Sequence, residues 1–193
     1  MATQRSFTDR YPRRAELRGG KAVTIRLMEP ADKSKILALA RSLPERDLLF
    51  LRIDITDPAI VDQWIDAIRK GETVTLMAEL GDEIVAYTSV HLEQAAWTRR
   101  VGEIQINASP HHRGIGLGRQ LTCEAMEVAR MLGLRKMTAM MTPDQTGART
   151  AFERLGFHVE ALLADWVEDR QGQTHDLLVM SLDVSGFTDQ AVA

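Results

Sequence analysis

The chain has 193 residues, of which 45% are hydrophobic and 26% charged, and this balance is typical of one globular domain that can bury a sizeable core. Its formal net charge of −3 provides no broad basic surface, so we expect neither nucleic acid nor an anionic membrane as a partner. No apolar run approaches the roughly 20 residues of a membrane-spanning helix, and the polar opening lacks the core of a secretory signal, so we expect a cytoplasmic protein.

The first half of the chain predicts one strand and two helices. Residues 1–20 mix arginines with acidic residues, which favours a solvated arm or a short docking helix. Residues 22–27 alternate apolar and polar side chains and predict the first strand. Apolar residues at helical spacing follow Asp32 and Asp57-Pro58, which are good helix starts. Between these helices, residues 48–55 lack a clean period and could form a short helix, a loop or a lid.

The second half alternates strands and helices. Two strand-like runs at 73–80 and 84–92 are joined by Gly81-Asp82-Glu83, which predicts an antiparallel hairpin. Residues 101–108 predict a further strand with an unusually polar face. The remaining predicted elements are a helix from Leu117 to near Gly133, a strand at 136–142, a helix at 146–155, and strands at 157–164 and 176–182.

This order predicts one domain of the α/β (α+β) class. We expect the domain to span residues 21–185, between the arm at 1–20 and a C-terminal tail at 186–193. The hairpin excludes a uniformly parallel sheet. We therefore expect a mixed, mostly antiparallel sheet of about seven strands with helices on its faces.

A glycine-rich segment, His111-His112-Arg113-Gly114-Ile115-Gly116-Leu117-Gly118, joins the strand at 101–108 to the next helix. The first turn of a helix offers free N–H groups to an anion, and glycines let a phosphate approach the backbone. A nucleoside-triphosphatase loop needs Lys-Ser/Thr after the last glycine, but Arg119-Gln120 follows here. A dinucleotide fingerprint needs G-x-G-x-x-G in a parallel unit, whereas these glycines run G-x-G-x-G after a hairpin. A plain tight turn is the other alternative.

At this segment the sequence resembles the GNAT superfamily of N-acetyltransferases. The family's coenzyme A signature, Arg/Gln-x-x-Gly-x-Gly/Ala, is matched by Arg113, Gly116 and Gly118. Residues 104–110 resemble the central strand of the family, and residues 148–157 resemble its segment Ala-x-x-x-Tyr-x-x-x-Gly-Phe. The resemblance implies a sheet that splays at the central strand, with the pantetheine arm of acetyl-CoA lying in the gap.

The resemblance also assigns the residues that would hold acetyl-CoA. The pantetheine is expected to pair with Ile106, Asn107 and Ala108. The pyrophosphate is expected on the backbone N–H groups of Gly114, Ile115, Gly116, Leu117 and Gly118, beside Arg113. Gln145 stands near a position where the family often has an asparagine that touches coenzyme A, and Phe152 is expected to line the same site.

The reaction that the resemblance implies is direct transfer of an acetyl group from acetyl-CoA to a primary amine. A lysine-like amine with a pKa of about 10.4 must first lose a proton, which costs roughly 4.6 kcal/mol near pH 7. Glu103 shares a strand face with Gln105 and Asn107, and we expect it to be the catalytic base. A solvated or salt-bridged surface glutamate is the alternative interpretation.

Phe152 departs from the family pattern, because many members have a tyrosine there that protonates the departing sulfur. A thiol with a pKa of about 8.5 leaves as thiolate at a disadvantage of only about 2 kcal/mol, so catalysis does not require that tyrosine. The step is then unassisted, or it uses Tyr87, Thr142 or a water. The missing tyrosine also leaves a non-catalytic acyl-CoA-binding regulatory module as an alternative function.

The partners are less sharply defined than the donor. The acceptor could be a small-molecule amine or a protein amine, and a homodimer is possible because sheet edges in this architecture often mediate dimers. The lone Cys123 is expected to pack within its helix. The histidines lack metal-ligand spacing, so we expect no metal cofactor.

Overall fold

The computed structural model describes residues 7–48, 51–169 and 171–187, and it is organised around one eight-stranded sheet. The order of the strands in the sheet is β1-β2-β3-β4-β5-β6-β8-β7, and among its neighbouring pairs only β5 and β6 are parallel. The predicted mixed, mostly antiparallel sheet is therefore confirmed. In chain order the elements are β1 (Arg13–Glu16), β2 (Ala22–Leu27), α1 (Lys33–Ser42), α2 (Glu45–Leu48), α3 (Pro58–Arg69), β3 (Thr73–Leu80), β4 (Glu83–Leu92), β5 (Val101–Ala108), α4 (Leu117–Met131), β6 (Lys136–Met141), α5 (Thr146–Arg154), β7 (His158–Glu168) and β8 (Thr174–Asp183).

Strand β1 is the element that the sequence did not reveal, and it raises the number of strands from about seven to eight. Residues 13–16 pair antiparallel with residues 22–25 of β2, and Ala15 is buried. With one apolar residue in four, β1 has too little pattern to be recognised as a strand. Residues 13–16 of the predicted arm thus belong to the sheet, while residues 1–6 lie outside the described residues.

A buried carboxylate fastens this opening segment to α4. Glu124 is only 1% exposed, and its Oε1 lies 2.8 Å from Nη1 of Arg13. The Tyr11 hydroxyl donates to Oε2 of Glu124 at 3.0 Å, and Gln120 Nε2 donates to Oε1 at 3.0 Å. A buried charge left without its partners is strongly destabilising, so these contacts fix the segment against α4.

Helices cover both faces of the sheet. α3 begins where Asp57 accepts a bond from the N–H of Ala59 at 2.7 Å, and Pro58 occupies the first turn as predicted. Its Trp64 packs against Tyr87, with ring centroids 5.1 Å apart, in a core that includes α1. α4 packs its apolar stripe on the opposite face. No helix in the described ranges is long and apolar enough to cross a membrane.

The sheet splits between β5 and β6. The two strands pair only where residues 101–103 lie opposite residues 136–138, although β5 continues to Ala108 and β6 to Met141. Side chains pack closely on Gly102 at the paired end, because a Cβ added there would lie 2.7 Å from Cδ1 of Leu134. The gap therefore opens toward the carboxyl ends of both strands, as the predicted splay requires.

The C-terminal part of the described chain returns to α4. Phe187 is buried, and the guanidinium of Arg130 lies 5.5 Å from the centroid of its ring. The same arginine donates to the carbonyl of Phe187. The tail predicted at 186–193 thus begins inside the fold, and residues 188–193 lie outside the described residues.

Candidate active site

The glycine segment after β5 has a backbone shape that requires glycine at two positions. Gly114 has φ +79° and Gly116 has φ +88°, both in the left-handed region that other residues rarely adopt. Gly116 is the cap residue from which α4 begins. A Cβ added at Gly114 or Gly118 would meet no heavy atom within 4 Å. The loop therefore exposes its backbone to open space at the mouth of the gap.

The N–H groups of this loop are available to a ligand. Within the described chain, no backbone or side-chain acceptor takes the N–H groups of residues 114–118. The first turn of a helix has no internal acceptors for its N–H groups, and the helix dipole places partial positive charge there. Unpaired donors on an open, positively polarised turn fit a pyrophosphate, so the residues present suit coenzyme A.

Arg113 contributes to the shape of the loop through an ion pair. Its guanidinium bonds to the carboxylate of Asp47 in α2, which ties the loop to the segment that leads into α3. The Arg113 side chain is still 44% exposed, so part of the guanidinium faces solvent. The expected contact between Arg113 and coenzyme A stays a prediction.

Arg18 is a residue beside the loop that sequence reasoning missed. Its N–H donates to the carbonyl of Ile115 at 3.0 Å, and its Cγ is the nearest heavy atom to a Cβ added at Gly116, at 3.8 Å. Among the described residues, its guanidinium has no ion-pair partner. No local pattern could have revealed this position, because β1 and the turn after it bring Arg18 to the loop.

The edge of β5 that faces the gap offers main-chain groups at alternate residues. Ser109 N–H donates to Val85 of β4 at 2.8 Å, whereas the carbonyl of Gly102 accepts from Thr138 of β6 at 3.3 Å. Because successive residues of a strand point their main-chain groups to opposite sides, those of Ile106 and Ala108 face the gap. Those of Asn107 face β4, which differs from the expected pairing of Asn107 with pantetheine.

Two buried hydroxyl groups lie just after the strands that border the gap. Ser109 follows β5 and Thr142 follows β6, and each is 1% exposed. Neither hydroxyl has a hydrogen-bond partner among the described residues. Both oxygens are enclosed by protein, so a ligand in the gap would reach them only after a side-chain rotation.

Gln145 and Phe152 lie beyond the end of β6. The side-chain oxygen of Gln145 accepts a bond from the N–H of Thr142 at 3.1 Å, which fixes the amide next to the gap. Phe152 packs edge-on against Phe157, with ring centroids 4.9 Å apart and an interplanar angle of 69°. Phe152 therefore supplies an apolar wall and no proton donor.

The face of β5 toward α1 and α3 carries the candidate base. Oε2 of Glu103 lies 2.7 Å from Nη1 of Arg52, in the segment between α2 and α3, and the Glu103 side chain is 15% exposed. Burial raises the pKa of Glu103, the charge and hydrogen bond of Arg52 oppose that rise, and nearby Glu93 adds to it. Glu103 is thus salt-bridged but largely removed from water. The pattern of residues 48–55 gave no sign of the Arg52 contact.

His91 of β4 lies directly opposite Glu103 of β5, and its ring is neutral near pH 7. Its Nδ1 lies 3.0 Å from the hydroxyl of Thr73, and its Nε2 lies 3.4 Å from Oε1 of Gln105. Burial lowers the pKa of His91 to about 4, helped by the charge of Arg52. A neutral ring accepts from Thr73 and donates to Gln105, so it orients the face that carries Glu103.

Tyr87 is separated from the gap by β5. Its hydroxyl accepts a bond from Nδ2 of Asn107 at 2.9 Å, and burial raises its pKa. Of the two side chains considered as donors to the departing sulfur, Thr142 lies at the gap and Tyr87 lies on the strand behind it. In the described ranges, His, Cys, Asp and Glu form no group of three that could hold a metal ion.

Together, the split sheet and the glycine loop form an open gap beside the central strand, with backbone N–H groups at its end that have no acceptor among the described residues. Residues 40–157 match the Acetyltransferase (GNAT) family, and this stretch is more than half of the chain. The chain belongs to this family.

The curated relatives are mycothiol acetyltransferases. The protein from Geodermatophilus obscurus is 35% identical over 89 residues, which cover 45% of this chain and 29% of the relative. The protein from Streptomyces griseus is 32% identical over 145 residues, which cover 71% of this chain and 43% of the relative. The chain thus spans less than half the length of these relatives.

Solved structures support the same fold. A phosphinothricin acetyltransferase from Sinorhizobium meliloti in complex with AcCoA has a TM-score of 0.72 and 20% identity, covering 83% of this chain and 88% of its own. A ribosomal-protein-alanine N-acetyltransferase from Brucella melitensis has a TM-score of 0.73 and 22% identity, covering 82% and 98%. At these identities the likeness shows the fold alone.

Proposed function

We propose that this chain transfers an acetyl group from acetyl-CoA to a primary amine. The observation that carries the proposal is the gap beside β5, which ends at a glycine loop whose N–H groups have no acceptor among the described residues. Membership of the GNAT family and the related structure solved with AcCoA support the choice of donor.

The donor side of this proposal rests on the backbone. The N–H groups of residues 114–118 and the N-terminus of α4 would hold the pyrophosphate. The main-chain groups of Ile106 and Ala108 would bond to the pantetheine. At these positions β6 has diverged from β5 and supplies no main-chain partner. Asn107 would act instead through its side chain, which bonds to Tyr87. Gln145 and Phe152 would border the ligand at the far side of the gap.

The chemical step is attack of the neutral amine on the thioester carbonyl. A C–N bond forms, the C–S bond breaks, and the sulfur leaves with the electron pair. Glu103 would accept the proton that the amine loses. The rise in its pKa by burial makes its carboxylate a better base than an exposed glutamate, and the bond from Arg52 holds it in place. Because a base must be ionised, activity should rise with pH through the pKa of Glu103.

The departing thiolate needs less help than the amine. With Phe152 in place of a tyrosine, the candidate donor to the sulfur is Thr142 at the end of β6, whose buried hydroxyl has no partner among the described residues and would have to rotate toward the gap. The sulfur can also leave as a thiolate, at a disadvantage of about 2 kcal/mol for a thiol with a pKa of about 8.5, and take its proton from solvent afterwards.

The alternative function is an acyl-CoA-binding regulatory module. Two observations favour it. Phe152 cannot donate a proton to the sulfur, and the carboxylate of Glu103 is already paired with Arg52. Both functions share the donor site, so they differ only in turnover. A homodimer stays a prediction, and the exposed side chains of Leu162 and Trp166 on the edge strand β7 mark one surface where a second copy could pack.

The test is a comparison of binding with turnover. The purified protein is mixed with acetyl-CoA and a panel of amines that includes simple amines, amino acids and alanine-terminated peptides, and release of free thiol is measured. Coenzyme A should raise the melting temperature, and at least one acceptor class should release thiol. Stabilisation without turnover across the panel would favour the module, and absence of stabilisation by coenzyme A would contradict both functions.

A further inference from the structure

Arg52 occupies an unusual position for an arginine on a half-exposed loop, because it touches the candidate base directly. Its Nη1 lies 2.7 Å from Oε2 of Glu103, whereas its own side chain is 48% exposed. One edge of the guanidinium therefore faces the base, and another edge faces water.

The backbone around Arg52 is held by its neighbours. Leu51 and Ile53 pack against the core beneath α1 and α3, and Ile55 is fully buried. Asp54 accepts bonds from the N–H of Thr56 at 3.0 Å and from its hydroxyl at 2.6 Å, which closes a turn just after Arg52. The guanidinium is thus presented from an anchored segment.

Most of the hydrogen-bonding capacity of Arg52 is unused. A guanidinium has five N–H donors in a planar fork. Among the described residues, the Arg52 side chain makes one hydrogen bond, to Glu103. Such a fork matches a carboxylate on two donors at once. The remaining donors belong to the same guanidinium that bonds to Glu103, so they lie close to the carboxylate that would take the proton of the acceptor amine.

The charges around this position suit an acceptor that carries both a positive and a negative group. Glu103 and Arg52 compensate each other, His91 is neutral near pH 7, and exposed Glu93 adds one negative charge nearby. The two carboxylates attract an ammonium, and the exposed edge of Arg52 attracts a carboxylate on the same acceptor.

We propose that the acceptors of this chain are amines that carry a carboxylate within a few bonds of the amino group, and that Arg52 binds the carboxylate while Glu103 receives the amine. This inference rests on the proposed acetyltransferase activity and names its substrate class. Arg52 is then the residue that determines acceptor specificity, and it keeps its bond to Glu103 while the acceptor binds.

The test uses matched pairs of acceptors that differ only in the carboxylate, such as phenylalanine with 2-phenylethylamine and alanine with ethylamine. Thiol release gives kcat/KM for each. The wild-type protein should prefer the carboxylated member by about ten- to a hundredfold, the range of a charge-assisted hydrogen bond. Arg52→Met should abolish this preference mainly through KM of the carboxylated member, and Arg52→Lys should retain part of it.

The control is Arg69→Met, which removes an exposed arginine on α3 that bonds to a carboxylate, that of Asp66, at 2.9 Å. It should leave the preference unchanged, and all variants should bind coenzyme A like the wild type, which shows that they fold. Turnover without preference for the carboxylate, or an equal loss on both members in Arg52→Met, would overturn the role of Arg52 and leave the acetyltransferase activity standing. No thiol release with any amine would overturn both.

Discussion

Strand β5 separates two unlike halves of the candidate site. The half on its free edge is built from backbone groups of one continuous stretch, residues 104–118. The half on its face toward α1 and α3 is built from side chains that come from β3, β4, β5 and the segment before α3. Backbone donors suit the invariant part of a shared co-substrate, and side chains suit an acceptor that varies among relatives. We therefore expect substitutions in the two halves to separate binding from turnover.

The largest expected effect is on the side-chain half. Glu103→Gln keeps the size of the side chain but removes the base, so kcat/KM should fall by about 10²- to 10⁴-fold, and the remaining activity should lose its rise with pH through the Glu103 pKa. Steady-state thiol release across pH, with the best acceptor, measures both.

Glu83→Gln provides the matched control for this change. Glu83 is an exposed glutamate at the opposite end of β4 from the residues that pair with Glu103. It should keep wild-type activity and the wild-type pH profile. Equal rates for Glu103→Gln and Glu83→Gln would remove Glu103 from the mechanism.

The next effect concerns the polar network behind the acceptor face. Folded His91 has a pKa of about 4, whereas an unfolded histidine has about 6.5, so the unfolded chain binds more protons between these values. Stability should therefore fall as pH falls from about 6.5 to about 4, by at most about 3 kcal/mol from this group.

Denaturant unfolding at a series of pH values measures this slope. In His91→Gln the contribution of His91 should disappear, whereas the variant of an exposed histidine, His158→Gln, should keep it. An unchanged slope in His91→Gln would show that His91 is not the group responsible. Thr73, Gln105 and the charge of Arg52 surround His91, so they stay intact in both variants.

The contrast between the halves also explains what the sequence could reveal. The glycine segment and the strand before it are contiguous, so their pattern indicated an anion-binding turn there. The family resemblance carried by that pattern then implied the donor site and the splayed mixed sheet, and the sheet is confirmed. Arg52 and Arg18 reach the site through tertiary packing and leave no local pattern. Strand β1 is too short to show a period. The main chain of Asn107 points toward β4, and this direction could not be predicted because the sequence does not show which edge of β5 is free.

A smaller effect should come from the backbone half. Gly118 has no left-handed φ, a Cβ there meets only open space, and an acidic residue is favourable in the first turn of a helix, so Gly118→Asp should fold. Its carboxylate adds a negative charge beside the free N–H groups, so affinity for coenzyme A should fall about tenfold or more.

Calorimetric titration with coenzyme A measures this loss, and Gly186→Asp is its control. A Cβ at Gly186 also meets open space, but that residue lies in the turn after β8, far along the chain from the loop. It should bind coenzyme A like the wild type. Full affinity in Gly118→Asp would place the phosphates elsewhere.

The smallest effect is expected for Arg18, beside the loop. Removing an exposed cation from an anion site should weaken coenzyme A binding about two- to fivefold, and the difference should shrink at high salt. Titrations of Arg18→Ala at low and high salt measure it. Arg14→Ala removes an exposed arginine from β1 in the same segment and should have no effect, so equal losses in both variants would indicate only the net charge of the segment.

The division between the two halves is tested most directly by the affinity of Glu103→Gln for acetyl-CoA. We expect this variant to bind acetyl-CoA within about twofold of the wild type although its turnover falls sharply, and Gly118→Asp to show the opposite order of effects. A loss of acetyl-CoA affinity in Glu103→Gln as large as its loss of turnover would contradict the separation of donor and acceptor sites across β5.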